Sequence, residues 1–240
     1  MNRLARALLP AALAVPLALV GCSSETTELP AGLGPLAIIG DLAWPAACEG
    51  AGATGSGIAL GAARPVIASP AYNEMKARAC VPFPLADVWQ ALQIPSGVQV
   101  AFWPERDVSD CAPAVNVEPG YAVSFSTEEI PHGAIESHFT FVLTWRADVT
   151  VGSAQAPAEV KMLYGKTSGT TEVPWLRGSM VFTPDPLNPG WTRIELVRQL
   201  NTNGHSDDPA QLARWLNEFH GGLVTRLATG TLQPTYCVLP

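Results

Sequence analysis

The sequence predicts an α+β domain, a curved antiparallel β-sheet wrapped around a long C-terminal α-helix. Three patterns carry that expectation. Between residues 121 and 201, apolar side chains alternate with polar ones at a period of two, in successive runs separated by Gly, Pro and Asn turns. Residues 208–228 repeat their apolar side chains at helical spacing. Ahead of both, residues 72–81 alternate as a strand, meet Pro82 and Pro84, and give way to a short helical pattern.

The first residues are an address and not part of the fold. Arg3 and Arg6 precede an apolar run over residues 7–20, and Leu19-Val20-Gly21-Cys22 ends it with small residues. This is a secretory leader whose end resembles a bacterial lipobox, so residues 1–21 are expected to be cleaved and Cys22 to be diacylated. The run is short for ~30 Å of hydrocarbon and carries Pro10 and Pro16, against a retained span. Ser23 after the acylated cysteine resembles the sorting pattern of Gram-negative lipoproteins, which implies an extracytoplasmic protein anchored in the outer membrane through Cys22. Losing Arg3 and Arg6 takes the 14 basic residues to 12 against 21 acidic ones, and such a surface repels nucleic acid.

Residues 22–71 are rich in Ala, Gly, Pro and Ser with little periodicity, and read as a tether that lets the folded part stand off the membrane. The domain is expected over 72–240. Once Cys22 is assigned to lipid, Cys48, Cys80, Cys111 and Cys237 remain, an even number in an oxidising compartment, so two disulfides are expected. Three pairings are open. The preferred one joins Cys80 to Cys111, which flank one local excursion, and Cys48 to Cys237.

Within the domain, Ala77, Ala79 and Val81 share one face of the first strand, and Leu85, Val88, Trp89 and Leu92 make the short helix amphipathic. Residues 94–119 carry weak periodicity and are expected to be irregular. Runs beginning near Tyr121, Phe139, Val160, Trp175 and Trp191 then form a meander of five strands. The closing helix starts at Asp208 as N-cap with Pro209 in its first position. Leu212, Leu216, Phe219, Leu223 and Leu227 form one stripe, flanked by Trp215 and His220, and their burial is worth on the order of 8–15 kcal/mol before entropy.

Strand, short helix, meander and long C-terminal helix resemble the START-like, or SRPBCC, helix-grip superfamily. The segments that carry the resemblance are KARACVPFPLADVWQAL at 76–92, GSMVFTPDPLNPGWTRIELVRQL at 178–200, and the final helix. The resemblance implies a sheet gripping the helix over an apolar cavity that takes a lipid, sterol, polyketide or similar hydrophobic molecule. Residues 94–119 depart from the compact helix and hairpin usual there. The resemblance is one of element order and periodicity, so activity stays open between a binding domain, a cyclase or hydrolase in the same cavity, and a structural envelope protein with a collapsed cavity.

Candidate cavity residues follow from the inward faces. Trp145, Tyr164, Phe182, Trp215 and Phe219 either line a pocket or are plain core, the commoner fate of inward aromatics. Arg198 falls in phase with Ile194 and Leu196; it either grips a carboxylate or phosphate head, or snorkels to water as most such arginines do. Gly222 on the helix flank leaves room for a ligand or for close helix-to-sheet packing. Other motifs do not hold. Gly50, Gly52 and Gly55 match a dinucleotide-binding spacing without the strand and helix it needs. Gly165-Lys166-Thr167 ends like a phosphate-binding loop but reads as a turn. His138 is expected in solvent, and His205 with Asp207 and Asp208 has the look of a metal cluster but is set aside because Asp208 is taken as the helix cap. No nucleophile, acid–base pair, metal site or cofactor motif emerges.

Overall fold

The structure is a computed structural model and describes residues 28–34, 39–93, 120–129, 141–204 and 207–230. The leader, Cys22, Cys111, Cys237, His138, His205 and the segment 94–119 lie outside the described residues.

Eight strands form one antiparallel sheet that curves without closing. They are β1 (Gly57–Leu60), β2 (Arg64–Val66), β3 (Tyr72–Val81), β4 (Val123–Glu129), β5 (Phe141–Gly152), β6 (Pro157–Gly169), β7 (Trp175–Pro184) and β8 (Thr192–Asn201). Their order is β1-β3-β8-β7-β6-β5-β4, with β2 also on the outer edge of β3. Helix α1 (Leu85–Leu92) follows β3, and α2 (Asp208–Thr229) closes the chain. Register shifts in β5, between Val142 and Leu143 and again on either side of Val151, bend the long β5–β6 ribbon. The alternation expected from the sequence becomes an apolar inner face: Val160, Met162 and Tyr164 on β6, Met180 and Phe182 on β7, Ile194 and Leu196 on β8 are all buried. Helix α2 packs on β3 and β8 and touches α1 and β1. Ala77 and Ala79 of β3, both fully buried, project little volume and leave space for Leu212, Leu216 and Phe219 of the helix.

The helix begins one residue earlier than the sequence suggests. Asp207, not Asp208, is the N-cap, its carboxylate accepting from the Ala210 N–H at 3.3 Å. Asp208 is buried inside the first turn, where it accepts from the Thr202 hydroxyl at 2.5 Å and from the Asn73 amide at 3.3 Å. It ties the helix start to the ends of β8 and β3. His220 makes the second tie: its Nε2 lies 3.0 Å from the Cys80 carbonyl oxygen, and burial holds the imidazole below its ordinary pKa despite that hydrogen bond.

The described residues of the expected tether are instead part of the fold. Residues 57–66 supply β1 and β2, and residues 28–30 and 42–44 lie against the outer face of the sheet. Leu29 is buried against Gly165, where an added Cβ would fall 2.6 Å from its Cδ2. Arg146 donates to the Pro30 carbonyl at 2.8 Å and Arg177 to the Glu28 carbonyl at 2.5 Å. Further on, Trp44 sits between two guanidinium groups, Arg78 at 5.0 Å and Arg193 at 4.6 Å from its ring centre. Arg78 also donates to the Leu42 carbonyl and to Glu195; Arg193 donates to Asp185 at 2.8 Å. Burial pushes the Asp185 carboxyl up, but Arg193 and the N–H groups of Leu187 and Asn188 outweigh it and hold the group below the usual carboxylate range.

The disulfide pairing differs for the same reason. Cys48 bonds to Cys80, in place of the expected Cys48 to Cys237 and Cys80 to Cys111. Cys80 points to the outer face, and the short 3-10 turn Ala46–Cys48 together with β1, where Gly57 pairs with Cys80, brings Cys48 over it. The bond closes a loop of 32 residues, which in the chain-entropy model contributes about 2–4 kcal/mol.

Two stability measurements check these contacts. Chemical denaturation of the Cys48→Ser variant is expected to show a loss of about 2–4 kcal/mol, with the cooperative transition retained. For His220, the unfolded chain takes up a proton near the ordinary value of about 6.5 while the folded protein refuses it. Stability therefore falls as the pH drops through 6.5 towards the depressed folded value. Thermal melts between pH 7.5 and 5 are expected to show this slope and to show less of it in His220→Gln.

Candidate functional site

Under α2, three strands place three residues in one cross-strand row: Tyr164 of β6, Gly178 of β7 and Arg198 of β8. Glycine in the middle position is a steric requirement. The Tyr164 ring lies over the Gly178 backbone, and a Cβ there would fall 2.1 Å from the phenol carbon and oxygen. Arg198 reaches the same space from the other side, its Nη1 donating to the Tyr164 hydroxyl at 3.1 Å. The guanidinium carbon lies 3.7 Å from the centre of the Trp215 ring, which α2 lowers onto it. A guanidinium held on an indole face away from water is stabilised by roughly 2 kcal/mol.

Around this centre the rings form a continuous run. Trp145 of β5 stacks on Tyr164 with centroids 4.4 Å apart, Tyr164 faces Trp215 at 5.4 Å, and Trp215 stacks on Phe219 at 5.8 Å. All four are at most 2 % exposed. Arg198 is 3 % exposed and does not snorkel to water. Phe182 is buried on the same face but in the row of Val160 and Ile194, four residues along β7 from Gly178, apart from the ring stack. Gly222 is buried on α2, seven residues beyond Trp215.

A second cation joins the inner face where the sequence suggested a turn. Lys166 lies within β6, in phase with Val160, Met162 and Tyr164, and is 2 % exposed. Its Nζ donates to the carbonyls of Thr170 at 2.6 Å and Val173 at 2.9 Å. The run Gly165-Lys166-Thr167 has the composition of a turn, but alternation continues through it, and the outward Gly165 is where Leu29 packs. That continued alternation was the available signal for Lys166. Gly178 left no comparable signal, because its role appears only once β6 and β8 flank it.

Arginine and lysine at these positions donate hydrogen bonds and hold negative charge. The inner face thus combines an apolar, aromatic surface with two buried cationic groups.

The strands and helices are arranged as a helix grip, an open curved antiparallel sheet packed against a long C-terminal helix, which is the arrangement expected of a START-like fold. Similar solved structures include a START superfamily protein from Mycobacterium smegmatis, at 12% identity and a TM-score of 0.45, covering 66% of this chain and 99% of that one. Another is the Zhui aromatase/cyclase of a Streptomyces species, at 13% identity and a TM-score of 0.43, covering 69% and 99%. A conserved protein from Geobacillus kaustophilus aligns at 12% identity with a TM-score of 0.45 over 65% and 96%. No family model matches the sequence, and no curated protein matches it.

The shared space over Gly178 gives a test of the site's construction. Gly178→Ala is expected to destabilise the protein by about 2 kcal/mol or more, because the Tyr164 ring must move. In a Tyr164→Ala background the same change is expected to cost much less. A double-mutant cycle by denaturant melts measures the difference.

Proposed function

We propose that the protein is a lipid-anchored, extracytoplasmic binding domain that holds a hydrophobic small molecule bearing an acidic head group between the sheet and α2. The observation that carries this reading is Arg198, a guanidinium buried beneath α2 on a largely apolar face and oriented by Tyr164 and Trp215. Lys166 supplies a second buried cation on that face. An acidic head placed near them is held by charge-assisted hydrogen bonds in a poorly screened environment. The apolar remainder of the molecule lies along Trp145, Tyr164 and Phe219, and Gly222 leaves helix volume free beside it. Secretion and acylation at Cys22 rest on the lipobox, and the Cys48–Cys80 bond is in keeping with an oxidising compartment. Among the described residues, no helix is long and apolar enough to cross a membrane, so on this reading the acyl chains hold the protein there.

The unbroken ring stack from Trp145 to Phe219 favours a second reading, in which side chains fill the grip and the domain is structural. Ligand binding separates the two. Organic extracts of the purified protein, analysed by mass spectrometry, are expected to contain an amphipathic acid. A fluorescent fatty acid is expected to bind saturably, with Arg198→Gln weakening it tenfold or more, as loss of a charge-assisted hydrogen bond of about 1.5–3 kcal/mol requires. The matching fluorescent alcohol is expected to bind both forms alike. An empty extract, with no saturable uptake of either probe, would falsify the binding role and leave the filled-core reading.

A further inference from the structure

We propose that the sheet margin formed by the β2–β3 hairpin and the start of β7 rests on a zwitterionic phospholipid surface, with Ile67 inserted at headgroup level. The inference rests on the reading of Cys22 as acylated and adds to it an orientation and a contact.

The hairpin tip is unusual in composition and exposure. Val66-Ile67-Ala68-Ser69-Pro70-Ala71 is mostly apolar, and Ile67 is 98% exposed. An apolar side chain so exposed is stabilised by leaving water. Beside it, Val66 pairs with Tyr72, and Tyr72 stacks on Trp175 with centroids 5.3 Å apart. Arg177 lies over Trp175 at 4.2 Å. Tyrosine, tryptophan and arginine grouped at the rim of an apolar tip are the residues that settle where hydrocarbon meets headgroups. A groove of about 460 Å³ opens at the same place, walled by Pro65, Val66, Ile67 and Tyr72 on one side and by Asp207 to Pro209 on the other.

The chain leading to the anchor arrives on this margin. Arg177 holds the Glu28 carbonyl, and Arg177 pairs with Gln199, Gln199 with Glu74, and Glu74 with Arg64. Glu28 and the base of the hairpin therefore share one cross-strand row, three strand spacings or roughly 15 Å apart. The six peptide units from Cys22 to Glu28 span at most ~20 Å. An acyl anchor on so short a lead keeps this margin at the bilayer. Leu187, also exposed at 68%, sits in the β7–β8 turn at the opposite end of the sheet. It is roughly 30 Å from this margin along β7.

Charge selects the kind of surface. The groups facing this margin are mixed, Arg64 and Arg177 against Glu74 and Asp207, on a chain that without its leader carries 12 basic against 21 acidic residues. Apolar contact with a zwitterionic surface fits that balance better than attraction to an anionic one.

The experiment uses the full-length protein processed in cells, reconstituted in phosphatidylcholine vesicles, with p-benzoylphenylalanine in place of Ile67 or, separately, of Leu187. Mass spectrometry of the N-terminal peptide first reports whether Cys22 carries diacylglycerol. On irradiation, position 67 is expected to cross-link to lipid at least tenfold more than position 187, in 50 mM and 500 mM salt alike. With Cys22 acylated, equal labelling at the two positions, labelling at neither, or cross-linking of position 67 to a second copy of the chain overturns the inference and leaves the anchor standing. An unmodified Cys22 overturns both.

Discussion

The volume above one backbone position decides how this domain is put together. Tyr164 and Arg198 arrive from neighbouring strands over Gly178, and only the absence of a side chain there lets the phenol lie flat and meet the guanidinium. Trp215 can then descend on Arg198, which sets the height of α2 above the sheet and the place of Phe219 beyond it. Seen this way, a polar group in the grip is part of the packing. Its charge is spread over two ring faces and a hydroxyl, which offsets some of the cost of taking it out of water.

The opposite face is organised by a different economy. Four outward arginines, Arg78, Arg146, Arg177 and Arg193, bind the N-terminal arm mainly through its carbonyl oxygens and the Trp44 ring. A segment without regular periodicity is held because the sheet supplies donors to its backbone and takes Leu29 into its packing, and the Cys48–Cys80 bond fixes its far end. The inner face of the sheet is therefore packed by a helix, and part of the outer face by the N-terminal arm.

Much of the fold was legible because it is written in local periodicity. β3, α1, β6, β7, β8 and α2 lie close to where the alternation and the helical spacing put them, and the phase of Arg198 with Ile194 and Leu196 gave its inward direction. What escaped depends on partners distant in sequence. The strands β1 and β2 are too short to show a period, and they exist because β3 offers an edge. Cys48 lies over Cys80 by way of that pairing, which no local pattern shows. Asp208 left the capping role to Asp207 because Thr202 and Asn73 compete for its carboxylate. Lys166 was masked by turn-like neighbours, and the fate of Arg198 required Trp215 from α2, a contact across two elements that no local window contains.

The division of labour between β1 and β2 has a bearing on solubility. β3 spans ten residues, and its outer side is shared by strands of four and three residues with a break between them. The outermost backbone is thus short and interrupted, and β2 places Pro65, which lacks an N–H, beside the exposed Arg64. A passing extended chain finds little there to template on, so this flank of the sheet resists the fibrous stacking to which a long open strand would be prone.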